Sequence, residues 1–187
     1  TEPDLPPLAL TSHQVRVEID HQAATTTIEQ VFLNNTERPL EAMYVFPIPK
    51  GAAMTRFTML VDGKEKAGEL VEKNAARQIY NSIVSRSLDP GLLECLGSEL
   101  FRANIFPIAP HGSQTITLKF SQVVPMENDL VSYVYPVRAH GRKGLTVNGR
   151  CSNQIDIKAP APIRNLFSPS HQVTIARPDD RHANVSW

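Results

Sequence analysis

A mainly β, antiparallel sandwich-like fold carrying one packed amphipathic helix is what the sequence predicts, on three observations. Apolar and polar residues alternate with period two in several strand-length segments of the 187 residues. Proline is abundant (15) and glycine scarce (9). The prolines sit beside apolar runs, as in YVFPIPKG, NIFPIAPHG and YVYPVRA, where a rigid turn would end a strand. One segment, 71–84, changes to the period of a helix.

Residues 1–7 are proline-rich and polar and read as an extended lead-in. In the first strand Val15, Val17 and Ile19 alternate with Arg16 and Glu18. In TTTIEQVFLNN, Ile28 and Phe32 fall on one face and Val31 and Leu33 on the other, which predicts a central strand. Asn34, Asn35 and Thr36 supply turn chemistry. LEAMYVFPIP is a strand stopped by Pro47 and Pro49. MTRFTMLVDGKEKAGEL reads as a hairpin about Asp62-Gly63, because Asp-Gly suits a tight turn with positive φ.

Val71, Ala75, Ala76, Ile79, Tyr80, Ile83 and Val84 then recur at helical spacing, opposite a polar face, over roughly four turns. Asp89-Pro90-Gly91 ends the connection after it. Strands resume in GLLECLG, in LFRANIFPI, after a His111-Gly112 turn in SQTITLKFSQVV, and in LVSYVYPV. A basic loop beginning at Arg138 leads to short strands near 145–158, 171–177 and 183–187. The expected core comprises Val17, Ile19, Phe32, Tyr44, Phe46, Phe57, Ile79, Tyr80, Phe101, Ile105, Ile116, Leu118 and Phe120. The C-terminal strands either extend this sandwich or, as preferred here, form a smaller second one.

Nineteen basic and nineteen acidic residues give no net charge, which argues against a chain-wide cationic surface for nucleic acid. The balance hides a split. Residues 1–137 hold 11 basic and 16 acidic side chains, net −5, and residues 138–187 hold 8 and 3, net +5. That split reads equally as a segment boundary or as chance among solvated loops. No apolar run approaches the ~20 residues of a membrane span. The chain begins at Thr1 rather than Met, so it reads as processed or as a fragment, and it is expected to continue beyond Trp187. Cys95 and Cys151 form no C-x-x-C pair; one disulfide or two buried thiols are both open.

Motifs that carry chemistry are few. G-x-S-x-G, the phosphate-binding glycine motifs and H-E-x-x-H are all missing. The six histidines never occur at i, i+4, so nothing favours a metal site, and no cofactor is expected. Asp179-Asp180 near His182 reads as a solvated charged turn. Glu94 and Glu99 flank Cys95 and would raise its thiol pKa, the opposite of what a nucleophile needs. A small hydrolase would require a polar pocket near His111 or His171. Arg138, Arg142, Lys143 and Arg150 form the one candidate partner-binding patch, although the aromatic residues that single-stranded nucleic acid would want are missing there. Asn34-Asn35-Thr36 and Asn184-Val185-Ser186 match the glycosylation pattern, which arises often by chance.

Residues 8–125 resemble a VIT (vault protein inter-alpha-trypsin) domain. The resemblance rests on the order and spacing of VFLNNTERPLEAMYVFPIPK, FTMLVDGKEKAGELVEKNAARQIY and LFRANIFPIAPHGSQTITLKFSQ. FPIPKGAAM and SPSH look more like the bacterial type. Each piece has a structural reason, so the resemblance implies a fold and no catalytic residue. It also implies a von Willebrand factor A domain downstream, with 126–187 as a β-rich connector toward it. The D-x-S-x-S metal motif of such a domain is absent here, so no metal ligand carries over. The expectation is a non-enzymatic module that supports or presents the A domain in a secreted, cell-surface or periplasmic protein. Its partners would be that A domain and an unidentified protein or glycan. A direct glycan- or matrix-binding module is the alternative.

Overall fold

The computed structural model describes residues 8–49, 51–61, 64–67, 99–135 and 149–187. Two long strands, β1 (Leu8–Asp20) and β2 (Ala23–Asn34), form an antiparallel hairpin through His21-Gln22. His21 takes a left-handed φ of 61° and its amide donates to the Lys158 carbonyl at 2.8 Å. On the β2 side follow β7 (Ser113–Val123), β4 (Ala53–Val61) and β5 (Lys64–Ala67), all antiparallel. On the β1 side follow β10 (Arg150–Lys158), β12 (His182–Ser186) and β11 (Thr174–Ala176). The result is one eight-stranded sheet in the order β11-β12-β10-β1-β2-β7-β4-β5.

Alternation decides which side chains face inward. In β2 every even position from Ala24 to Asn34 is buried, and β7 buries Gln114, Ile116, Leu118 and Phe120 in phase with it. Against this face lies a two-stranded ribbon of β3 (Leu40–Ile48) and β6 (Glu99–Ile108). Sheet and ribbon share one hydrophobic core. Tyr44 stands at its centre, with its ring centroid 6.1 Å from Phe32, 6.3 Å from Phe46 and 6.3 Å from Phe57. Phe46 reaches Phe120 at 6.4 Å. A short hairpin, β8 (Met126–Glu127) and β9 (Leu130–Val131), turns through Asn128 and Asp129, both at positive φ.

The mainly β expectation holds, and β2 is a central strand between β1 and β7. Val61 and Lys64 pair as the Asp62-Gly63 hairpin requires, although the turn residues themselves lie outside the described residues. So do the 71–84 helix with Ile79 and Tyr80, the GLLECLG strand with Glu94 and Cys95, and the side chains of Glu99 and Phe101. The other expected core residues are buried.

Four expectations change. The sheet is mixed rather than antiparallel, because β10 runs parallel to β1 over nine residue pairs from Ser12↔Arg150 to Asp20↔Lys158. The C-terminal strands therefore extend the main sheet instead of forming a second sandwich. The physical reason is that β1 has β2 on one side only, and β10 covers the otherwise bare row of amides and carbonyls on the other. Pro47 does not stop β3: it pairs with Leu100, and the strand ends at Ile48, before Pro49. Finally, among the described residues of LVSYVYPV only Leu130–Val131 form a ladder; beyond it, Tyr133 and Tyr135 turn into the sheet.

Candidate functional site

Among the described residues most of the sequence-derived candidates lie apart from one another. Arg150 opens β10, exposed and paired with Ser12, while Arg138, Arg142 and Lys143 lie outside the described residues. Cys151 is a free, exposed thiol, contrary to a buried one. Among the described residues no three His, Cys, Asp or Glu side chains gather as a metal site. The acidic and basic segments meet on the outer face, but with little complementarity. Asp20 and Lys158 approach to 3.7 Å, whereas Glu18 stands opposite Asp156, a like charge.

The histidines named for a hydrolase are exposed. His111 takes φ 52° in the β6–β7 turn with its ring 3.0 Å from Glu37, and His171 bonds Ser170 at 2.8 Å beside the Trp187 ring. Neither lines the concavities of about 430 and 300 Å³ found along β1, β10 and β12. Asp179 is the closure of an exposed turn. Its carboxylate accepts the amides of Arg181 (2.8 Å) and His182 (2.9 Å) and the His182 ring (2.7 Å), which together hold it below the usual carboxylate range. The charged-turn reading of that segment describes it well.

The two glycosylation motifs differ in setting. Asn34 is fully buried. Its amide donates to the carbonyls of Arg38, Ile108 and Ala109, and its oxygen accepts from the Thr36 amide and hydroxyl. Asn184 sits on β12, with its amide on the Asp156 carboxylate.

What the sequence reading missed is a polar chain through the core. His13 and Gln30 are directly opposite in the β1–β2 ladder, and both face inward. The Tyr44 hydroxyl donates to Gln30 Oε1 at 2.6 Å, and Gln30 Nε2 donates to His13 Nδ1 at 2.8 Å. His13 Nε2 meets the Tyr135 hydroxyl at 3.2 Å, and the Tyr133 hydroxyl meets Thr26 Oγ1 at 2.7 Å. Burial lowers the His13 pKa and raises those of the tyrosines. Tyr133 is pushed up to about 12, with the Thr26 bond opposing. Strand parity carries the signal that would have found the chain: His13 shares the inward phase of Val15 and Val17, and Gln30 lies between Ile28 and Phe32. A ring 6% exposed and bonded at both nitrogens cannot reach a substrate, so the chain acts as a joint between β1, β2, β3 and residues 132–135.

Comparison with known proteins matches the fold. The family model described as the vault protein inter-alpha-trypsin domain fits residues 10–120. The chain is similar to human von Willebrand factor A domain-containing protein 5A, 31% identical over 180 residues, covering 94% of this chain and 22% of the relative. It is also similar to human inter-alpha-trypsin inhibitor heavy chain H2, 30% identical over 118 residues, covering 62% of this chain and 12% of the relative. It thus spans about a fifth or less of the length of these two relatives. A solved structure from Legionella pneumophila aligns with a TM-score of 0.53 at 11% identity, covering 96% of this chain and 62% of that one, a likeness of fold alone.

Proposed function

The chain belongs to the vault protein inter-alpha-trypsin (VIT) domain family, and we propose that it is a non-catalytic structural and protein-interaction module supporting or presenting an adjacent von Willebrand factor A domain of the same polypeptide. One observation carries this reading. The alignment with the human relative named for an A domain takes in 94% of this chain but 22% of that protein. Residues 8–125 are assigned to the VIT module and 126–187 to a β-rich connector after it, with 1–7 as a lead-in. Sheet and ribbon are read as the two layers of a sandwich, with the 71–84 helix packed on it. The setting is a secreted, cell-surface or periplasmic protein, of the bacterial type.

Arg138, Arg142, Lys143 and Arg150 are assigned to partner contact. The net charge of +5 over 138–187 supports them. Two experiments test these roles. The natural downstream sequence is read and the following region produced alone; the presenting role requires an A domain there that binds this chain, and fails without one. The variant Arg142→Glu/Lys143→Glu is then compared with the parent on that region and on a glycan array. Weaker binding to the downstream region supports the assignment, and unchanged binding removes the loop from it. Glycan binding lost on reversal, without binding to the downstream region, favours a direct glycan- or matrix-binding module.

A further inference from the structure

We propose that residues 132–135 are a strap which neutral His13 holds closed over the inner face of β1 and β2, and which opens when the ring takes up a proton.

The directionality of the polar chain carries the argument. A side-chain amide nitrogen only donates, so Gln30 Nε2 at 2.8 Å makes His13 Nδ1 the acceptor and places the ring proton on Nε2, toward Tyr135. The Tyr44 hydroxyl, donating to Gln30 Oε1, fixes the amide in that orientation. A second ring proton turns Nδ1 into a donor facing a donor. Flipping the Gln30 amide relieves that clash only by setting its NH₂ group against the Tyr44 hydroxyl, whose own proton then points into the core. Protonation therefore leaves one buried donor without an acceptor, either the ring Nδ1–H or, after the flip, the Tyr44 hydroxyl, beside a buried charge that water would relieve.

The surroundings decide where water enters. Among the described residues, Gln30 from β2 and Tyr135 from the strap bond the ring; Tyr44 of β3 stands behind Gln30, and Tyr133 and the Cys151 thiol of β10 lie near Tyr135. Burial is the cause of the lowered His13 pKa, and among the described residues no carboxylate offsets the new charge. β1 is tied by ladders on both edges, to β2 and to β10, and β3 is pinned through the Tyr44 and Phe46 rings. Residues 132–135 belong to no ladder. Among the described residues they hold on through the Ser132 amide to the Pro125 carbonyl at 3.2 Å, the Tyr133 and Tyr135 hydroxyls, and the two rings packed on the core, Tyr135 stacked on His13 at 6.2 Å, while Val134 between them points outward. They are the cover that gives way first.

The test is amide hydrogen exchange on the whole chain at pH 7.5 and 5.0, corrected for intrinsic rates. One proton allows at most about a tenfold loss of protection per pH unit, beginning below about 6.5. The expected result is a drop of tenfold or more at the Ser132 amide, whose bond to the Pro125 carbonyl closes the strap, with β2 and β7 amides unchanged. His13→Gln, which bonds on both sides without titrating, should abolish the pH dependence. Tyr135→Phe, a milder change, should lower protection at pH 7.5 and keep a pH response. Protection at Ser132 that ignores pH, that falls equally in His13→Gln, or that falls together with every strand amide would overturn the proposal.

Discussion

Gly149 passes so close to Thr11 that a Cβ built on it would lie 1.6 Å from the Thr11 carbonyl oxygen. Thr11 is the residue at which the β1–β2 register shifts, between Leu10 and Ser12. The parallel pairing with β10 begins there, at Ser12↔Arg150. A bulge on one strand and a glycine before the other thus meet where the C-terminal segment joins the sheet.

Replacing that glycine should detach the join. The clash of Gly149→Ala is with backbone, which cannot swing aside as a side chain can. We expect a loss of about 2–4 kcal/mol in urea denaturation, within the range of core strain. Gly51→Ala is the control. Gly51 has φ 79° with open space around its Cβ position, so strain alone acts and the cost should be about 1 kcal/mol. Equal effects at the two sites would contradict the close approach.

Asn34 ties the 34–38 turn to Ile108 and Ala109 through five hydrogen bonds. Asn34→Ala takes the side-chain donor from the buried Ile108 carbonyl and the acceptor from the Thr36 amide, and should cost about 2–4 kcal/mol. The same burial denies the side chain to a glycosyltransferase working on folded chain. Expressed through a glycosylating secretory route, the folded protein should carry no glycan at Asn34, as read by peptide mass. Full occupancy there would show the turn to be open.

The buried tyrosines predict alkaline behaviour. Unfolded tyrosine loses its proton near pH 10. Tyr133 keeps it to about 12 in the fold, and burial pushes Tyr44 and Tyr135 up as well. Above pH 10 the unfolded chain therefore binds fewer protons than the folded one. The stability these groups contribute is whole below pH 10 and is lost as pH climbs through 12. Phenolate absorbance at about pH 11 should show these three rings still protonated in folded protein. Their titration near pH 10 would mean that they are not buried.

Strand parity made much of this fold legible. Val15 and Val17, Ile28 and Phe32, and Ile116 and Leu118 announce their faces by alternation alone, and Asp62-Gly63 announces a hairpin. Partner choice was not legible. Nothing local in RCSNQIDIK distinguishes a strand that pairs parallel to β1 from one that starts a second sheet, because the deciding fact is the open edge of a distant strand. Tyr133 and Tyr135 alternate as a strand would, yet their hydroxyls found Thr26 and His13 rather than their backbones a ladder. His13 and Gln30 were visible as polar residues in apolar phase, but their bond depends on the β1–β2 register.

That residues 150–187 fold as one unit with the strands before them has a sharp test in the single tryptophan. Trp187 exchanges backbone hydrogen bonds with Asn153 at 3.1 and 3.2 Å, so its fluorescence reports on the β10–β12 edge. Urea unfolding followed by Trp187 fluorescence and by far-ultraviolet circular dichroism should give coincident transitions with one midpoint. A fluorescence transition complete at lower urea, with the dichroism of the remaining strands intact, would contradict a shared sheet and make the C-terminal strands a separate unit.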